Sequence, residues 1–250
     1  MSRAPLATVP TGAVPVPSVV QAAAGGREVT PVWRNQVGGL TFRFEPSGER
    51  QEVHFAKWSA TEAGIDLRDE AERLDWARSY ASVPEVVELR EAEEGQLLIT
   101  RGLPGTSAVD PRWIRRPRRA ARALGAALRH LHENLPLDAC PYRWDVETRL
   151  AELPTTERAD FRAQAPTEDL VVCHGDACAP NTLLDDRGEL SGHVDLGTLG
   201  VGDRWADLAV LAWSAEWNYG PGLTDLVYAG YGVSADARRA DYYRRLWDAT

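Results

Sequence analysis

Three side chains with the chemistry to act together lie in one short stretch of the chain. The run Cys173-His-Gly-Asp176 is followed by Asn181, and Gly192-His-Val-Asp195-Leu-Gly197 then brings a second aspartate beside a glycine. Phosphoryl transfer asks little covalent help of a protein. It needs in-line positioning, neutralisation of charge by a divalent metal and a group that orients the attacking hydroxyl. A strand ending at Cys173, followed by the loop His174-Gly-Asp176, can present the Asp176 carboxylate to a hydroxyl. Asn181 re-enters from the same loop with a neutral oxygen for metal, Asp195 arrives on the next hairpin as an anionic metal ligand, and Gly197 is expected to free the turn beside it. Singly these would be a capping Asp, a turn Asn and a loop Asp; the order, with a hairpin between, makes the set specific.

These groups need elements to hold them, and the sequence supplies two kinds. From Val19 to Ile99 the pattern is short strands and turns interrupted by one helix. Thr30–Gln36, Leu40–Glu45 and Glu52–Trp58 are rich in β-branched or aromatic residues, Glu45-Pro-Ser-Gly-Glu-Arg50 has the composition of a hairpin turn, and Gly38-Gly39 suggests a bulge. Leu67, Ala71, Leu74 and Ala77 form one stripe of a helix over Leu67–Tyr80, and strands return at Val86–Leu89 and Gln96–Thr100. Lys57 ends a strand and Glu70 lies in the next helix. In that arrangement a lysine that holds nucleotide phosphates is itself held by a helix carboxylate.

Arg101-Gly-Leu-Pro-Gly105 breaks the pattern, and the chain beyond it is mostly helical. Helices are expected over Pro117–Glu133, Val146–Leu153, Arg204–Trp217, Leu223–Gly230 and Asp236–Trp247, with brief strands at Thr182–Leu184 and Leu190–Val194 joined by the turn Asp185-Asp-Arg-Gly188. The predicted organisation is α+β. A flexible lead over 1–17 precedes a nucleotide-binding lobe over 18–102, an antiparallel sheet plus helix, and a mainly helical lobe over 103–250 with the catalytic loop and acceptor site.

Bulk composition narrows the partners. A net charge of −9 disfavours a nucleic-acid ligand and favours a cationic one. The arginines at 112, 115, 116, 118, 119 and 122 read as the wet face of a helix. Three cysteines without a C-x-x-C pair suit a reducing interior, and Cys173 and Cys178 read as packing residues rather than zinc ligands. No stretch has signal-peptide or membrane-spanning character, so a cytoplasmic location without membrane contact is expected, as a monomer or weak dimer.

Further runs complete the pattern: Leu124-Gly-Ala-Ala-Leu-Arg-His-Leu-His132, Cys140-Pro-Tyr142, Arg149-Leu-Ala-Glu-Leu153, Ser191-Gly-His-Val-Asp195-Leu-Gly197, Asp203-Arg-Trp-Ala-Asp-Leu208 and Tyr242-Tyr-Arg-Arg-Leu-Trp-Asp-Ala-Thr250. With these the chain, from about Gly26 onward, resembles the aminoglycoside phosphotransferases, most closely the type acting on a 3'-hydroxyl. The resemblance implies a bilobal protein-kinase-like fold and transfer from ATP, with GTP as the alternative donor, to a small cationic antibiotic. It implies Asp176 as the catalytic aspartate, Asn181 and Asp195 as Mg2+ ligands, Lys57 as the phosphate lysine and Glu70 as its partner. Phe55 would lie against adenine, the backbone of Arg101, Gly102 and Leu103 would take its hydrogen bonds, and Asp248 and the Thr250 carboxylate would lie by the amino sugar. The chain departs from that pattern in three places. Gly25-Gly-Arg-Glu-Val-Thr30 is not a full G-x-G-x-x-G, the Leu153–Val171 stretch is shorter than the family's helical insert, and Thr198 stands where 3'-type enzymes usually carry arginine. A different hydroxyl acceptor, or a pseudokinase used as an interaction module, are the alternatives.

Overall fold

A computed structural model describes residues 9–10, 12–35, 37–48, 51–151 and 153–250, and these divide into two compact units. The first comprises residues up to Arg78 together with Pro84–Leu103; the second comprises Ser79–Val83 and Pro104–Thr250.

In the first unit, α1 (Ser18–Ala24) leads into β1 (Val29–Arg34), β2 (Leu40–Phe44) and β3 (His54–Ala60), then α2 (Leu67–Ala77), β4 (Val86–Ala92) and β5 (Gly95–Arg101). The strands form one antiparallel sheet in the order β1-β2-β3-β5-β4. Alternation along the strands explains its two faces. Ala56 and Trp58 of β3 point with Phe42, Phe44, Leu97 and Ile99 into a core closed by Val20 and Ala24 of α1, while Phe55 and Lys57 take the opposite face. Burying such apolar side chains contributes roughly 1.5–3 kcal/mol each. Helix α2 packs on β4 and β5, its start fixed by the Asp66 side chain, which accepts from the Arg68 amide.

Three expectations for this unit need correction. The region holds a second helix, α1, whose Ala-rich run ends at a left-handed Gly25. Gly38-Gly39 forms the β1–β2 turn, closed by Asn35 N–H to the Gly39 carbonyl at 3.0 Å and by Gly39 N–H to Asn35 Oδ1 at 2.6 Å; the register shift falls between Pro31 and Trp33 instead. Of the lead, residues 1–8 and 11 lie outside the described residues, yet Val14 and Val16 already pack on the sheet core. Gln36, Glu49 and Arg50, included in the expected strand and turn, are also outside the described residues.

The second unit contains β6 (Thr106–Ser107), α3 (Pro111–Ile114), α4 (Pro117–Asn134), α5 (Val146–Leu150), α6 (Thr155–Gln164), β7 (Leu170–Cys173), β8 (Thr182–Leu184), β9 (Leu190–His193), β10 (Gly200–Asp203), α7 (Arg204–Tyr219), α8 (Thr224–Tyr231) and α9 (Ala237–Ala249). Two small sheets sit in it, β6-β8-β9 and β10-β7. Helix α4 buries Leu124, Leu128 and Leu131, and crosses α8 so closely that a Cβ on Gly125 would fall 2.0 Å from the Val227 carbonyl oxygen. Arg115, Arg116, Arg118, Arg119 and Arg122 are exposed, as their solvated-face pattern requires. Four elements lie beyond the expected set, the short β6 and α3 and two that matter more for the site. Helix α6 occupies the Leu153–Val171 stretch, and β10 pairs antiparallel with β7 and delivers the chain to Asp203, whose side chain caps α7.

Candidate active site

In the first unit the Lys57–Glu70 pair exists. Lys57 Nζ donates to Glu70 Oε1 at 2.8 Å and Oε2 at 2.6 Å, a bidentate contact with the carboxylate largely buried. Phe55, two residues before Lys57, shares its face of β3 and lies against Gly102, where an added Cβ would meet the ring at 3.1 Å. The backbone after β5 is partly committed already. Arg101 N–H donates to the Glu85 carbonyl at 2.9 Å and Gly102 N–H to the Val53 carbonyl at 2.8 Å, whereas Leu103 N–H has no hydrogen-bond partner among the described residues. Of the three amides, then, Leu103 is the one left to meet a ligand.

In the second unit the loop after β7 and the turn after β9 are bound to each other. His174 Nε2 meets the Val194 carbonyl at 3.1 Å, and Val194 N–H donates to the Asn181 carbonyl at 3.0 Å. Gly175 makes the closest approach. At φ +86° its added Cβ would lie 2.2 Å from the Thr198 carbonyl oxygen, so only glycine lets the two segments touch. Thr198, where the resemblance anticipates arginine, therefore meets the His174-Gly-Asp176 loop through its carbonyl and its hydroxyl oxygen.

This contact brings the acids together. Burial and the charge of Asp195 raise the Asp176 carboxyl above the ordinary carboxylate range. Asp176 Oδ1 is sealed from solvent and has no hydrogen-bond partner. Asn181 Nδ2 donates to the Asp176 carbonyl at 2.9 Å and to its Oδ2 at 3.2 Å, which turns the amide oxygen away from that bond. Asp195 has φ +65°, the sole positive value for a non-glycine among the described residues. Backbone strain of this kind costs on the order of 1–3 kcal/mol and persists where surrounding structure enforces it. The expectation for Gly197 is thereby corrected: the left-handed residue of the turn is Asp195 itself, and Gly197 has no positive φ. Two carboxylates and an amide oxygen are hard donors of the type Mg2+ takes, and the elevation of Asp176 beside a like charge is what a bound cation would relieve.

A residue outside the expected set anchors this loop. Asp207 of α7 is buried, and its Oδ2 accepts from His174 N–H at 2.6 Å while Oδ1 accepts from Gly175 N–H at 2.9 Å. His132 Nε2 meets Oδ2 at 2.9 Å, and His132 Nδ1 meets the Tyr231 hydroxyl at 2.8 Å. Burial alone would raise the Asp207 carboxyl, but the His132 hydrogen bond and the loop amides hold it below its ordinary value. The Asp203-Arg-Trp-Ala-Asp-Leu208 run contained this anchor; an aspartate on the inward face of an apolar helix was the available signal. Further along the same helix, Ser214 Oγ accepts from Ala179 N–H at 2.9 Å. Cys173 is wholly buried with Sγ on the Asp203 carbonyl, and burial raises its thiol pKa, as burial and the Asp176 charge raise that of Cys178.

The two residues expected beside an acceptor sit at the end of α9. Asp248 Oδ1 lies 2.5 Å from Arg244 Nη1, and Thr250 Oγ1 accepts from Arg149 Nη2 at 2.7 Å and Nε at 3.1 Å. Asp248 is thus a half-exposed carboxylate already ion-paired through one oxygen.

Comparison with known proteins identifies the family of the chain. Residues 19–245 match the model of the APH phosphotransferase enzyme family. The chain is 31% identical over 244 residues to an aminoglycoside 3'-phosphotransferase of Streptomyces fradiae, covering 84% of this chain and 90% of the relative. Among solved structures it is similar to the aminoglycoside-3'-phosphotransferase of type VIII, with 30% identity, a TM-score of 0.74 and coverage of 92% of this chain and 97% of the other. It is also similar to the aminoglycoside phosphotransferase APH(3'')-Id of Streptomyces rimosus in complex with ADP and streptomycin, with 26% identity, a TM-score of 0.66 and coverage of 92% and 95%.

Proposed function

Because the chain belongs to the APH phosphotransferase enzyme family, an α+β kinase-like fold whose members pass a phosphoryl group to a hydroxyl, we propose that it phosphorylates an aminoglycoside antibiotic, at the 3'-hydroxyl, and so confers resistance. The observation that carries this reading is the pair of joined segments in the second unit. A buried Asp176 oxygen lacks a donor there, beside the Asn181 amide and the strained Asp195.

Asp176 accepts the hydrogen bond of the acceptor hydroxyl and takes its proton as the oxygen attacks the γ-phosphorus. The new O–P bond forms as the bond to the leaving ADP oxygen breaks. Asn181 and Asp195 would hold Mg2+, which when bound neutralises charge on the phosphates. Lys57, fixed by both Glu70 oxygens, is oriented to meet nucleotide phosphate; Phe55 takes the adenine face, and the backbone at Arg101, Gly102 and Leu103, principally the Leu103 amide, takes its polar edge. The end of α9, with Asp248 and Thr250, belongs to the acceptor side. ATP is the donor, and the enzyme acts in the cytoplasm; no helix among the described residues is long and apolar enough to cross a membrane.

The test is transfer from ATP to kanamycin and to streptomycin, with phosphorus NMR of the product to locate the phosphate. Asp176→Asn should keep nucleotide affinity and lose transfer by orders of magnitude. Transfer retained near the wild-type rate would remove Asp176 from the chemistry, and absence of transfer to any aminoglycoside, with transfer to another alcohol, would reassign the acceptor.

A further inference from the structure

Helix α7 serves the catalytic loop along one stripe, and the neighbouring stripe is made of tryptophan. Asp207 and Ser214, seven residues apart and so nearly eclipsed on a helix, both bind the loop that carries Asp176. Trp213 and Trp217 lie about 100° and about 60° around the helix from Ser214, on the same side of that stripe, level with Ser214 and nearly one turn beyond it. Their rings stand 5.6 Å apart, and Trp247 of α9 joins Trp213 at 5.7 Å. Trp217 is 55% exposed and is the open end of this three-tryptophan cluster.

Most polar groups of this shelf are already engaged, although Arg244 Nε is buried without a hydrogen-bond partner. The Arg244 guanidinium lies 4.2 Å from the Trp213 ring centre and 4.9 Å from that of Trp247, and it pairs with Asp248. Glu216 Oε1 is occupied by the amides of Gly222, Leu223 and Thr224 and by the Thr224 hydroxyl, closing the start of α8. Asn218 is tied back to Ser214. A ligand's ammonium group would find here a resident cation on two of the three rings and carboxylates that already hold partners, Asp248 in its ion pair with Arg244 and Glu216 at the start of α8. An uncharged ring face would find the exposed indole of Trp217.

We infer that Trp217, backed by Trp213 and Trp247, is the acceptor platform of this enzyme, and that it recognises the uncharged C–H face of a saccharide ring rather than the ring's ammonium groups. The inference rests on the phosphotransferase reading for the identity of the acceptor; the shelf itself is a property of α7 and α9. Selectivity among acceptors would then track ring shape at this subsite more than charge count. Asp248 serves chiefly to hold Arg244 against the indoles.

Trp217→Ala and Trp217→Phe separate this from a structural role, since an exposed side chain can be truncated without loss of the fold. Kinetics with ATP and kanamycin, and with ATP and streptomycin, should show the alanine variant raising the acceptor KM on the order of tenfold with KM for ATP unchanged, and phenylalanine restoring most of it. That increment should survive a rise in ionic strength, because it is not an ion-pair effect. Kanamycin titration should quench a part of the tryptophan fluorescence that both variants lose. An unchanged acceptor KM in Trp217→Ala, or an increment that vanishes at high salt, overturns the platform. Saturable quenching lost in both variants but without phosphate transfer leaves the platform standing and overturns the proposed reaction; transfer with no dependence on Trp217 does the reverse.

Discussion

Removing Asp207 is the sharpest perturbation of the loop. Its carboxylate accepts three hydrogen bonds in a buried setting, from His174 N–H at 2.6 Å, Gly175 N–H at 2.9 Å and His132 Nε2 at 2.9 Å. Asp207→Ala leaves all three donors unpaired, a loss of about 3–5 kcal/mol by analogy with breaking a buried, hydrogen-bonded charge pair. Asp207→Asn can keep one oxygen in place, and the gentler arrangement sacrifices only the Gly175 bond, costing about 2 kcal/mol. Against a typical stability of roughly 5–15 kcal/mol, both proteins should fold. Catalysis should suffer more than folding, because a loop displaced by about 1 Å can cost on the order of a hundredfold in rate. Urea denaturation read by tryptophan fluorescence gives the first quantity, and kcat with saturating acceptor gives the second. KM for ATP should hold, since Lys57 and Glu70 are untouched. His132→Phe, which spares both loop amides, should lose less rate than Asp207→Ala. Asp207 also sets a pH signature. Its carboxyl is held below the ordinary value, so its stabilisation is complete above about pH 4 and is lost as pH falls through the lower folded value. The wild type should therefore lose stability in acid below that point, and Asp207→Asn should lack that component. If Asp207→Ala costs under about 1 kcal/mol and leaves kcat unaltered, Asp207 does not position the loop and the reasoning fails.

Gly175→Ala should be stable enough to purify but poorly active: a left-handed φ costs an L-residue roughly 1–2 kcal/mol, and the new methyl would press on the Thr198 carbonyl, which thermal melts and kcat together would register. Glu70→Gln should raise KM for ATP several-fold with KM for the acceptor unchanged, because a neutral amide holds the Lys57 ammonium less firmly in place. Asp195→Ala should abolish Mg2+-dependent turnover more completely than Asn181→Ala, and the two should separate in a Mg2+ titration of activity, since an anionic oxygen binds a hard cation better than an amide.

Much of this molecule could be read from local rules. Leu67, Ala71, Leu74 and Ala77 repeat at helical spacing and are all buried in α2, so the helix that carries Glu70 was legible. The alternation through Phe55-Ala-Lys57-Trp likewise placed Lys57 on the face opposite the core. The grouping of Asp176, Asn181 and Asp195 was legible as residue type and order, and the fold does bring the three together.

What stayed hidden lacked a local signal. Helix α6 buries no residue, so no apolar stripe marks it; Phe161 alone reaches an edge-on contact with Tyr242. Strand β10 is Gly-Val-Gly-Asp, a composition that speaks against a strand, yet a Cβ on Gly200 would fall 2.5 Å from the Arg143 carbonyl carbon, so neighbouring backbone demands glycine there. The strained φ of Asp195, the anchoring by Asp207 and the pairing of Asp248 with Arg244 all depend on which side chains meet in the folded chain. Sequence by itself determined which groups could move a phosphoryl group. Tertiary structure decided which of them are buried, strained or already paired, because burial and pairing are properties of the assembled neighbourhood and of no single segment.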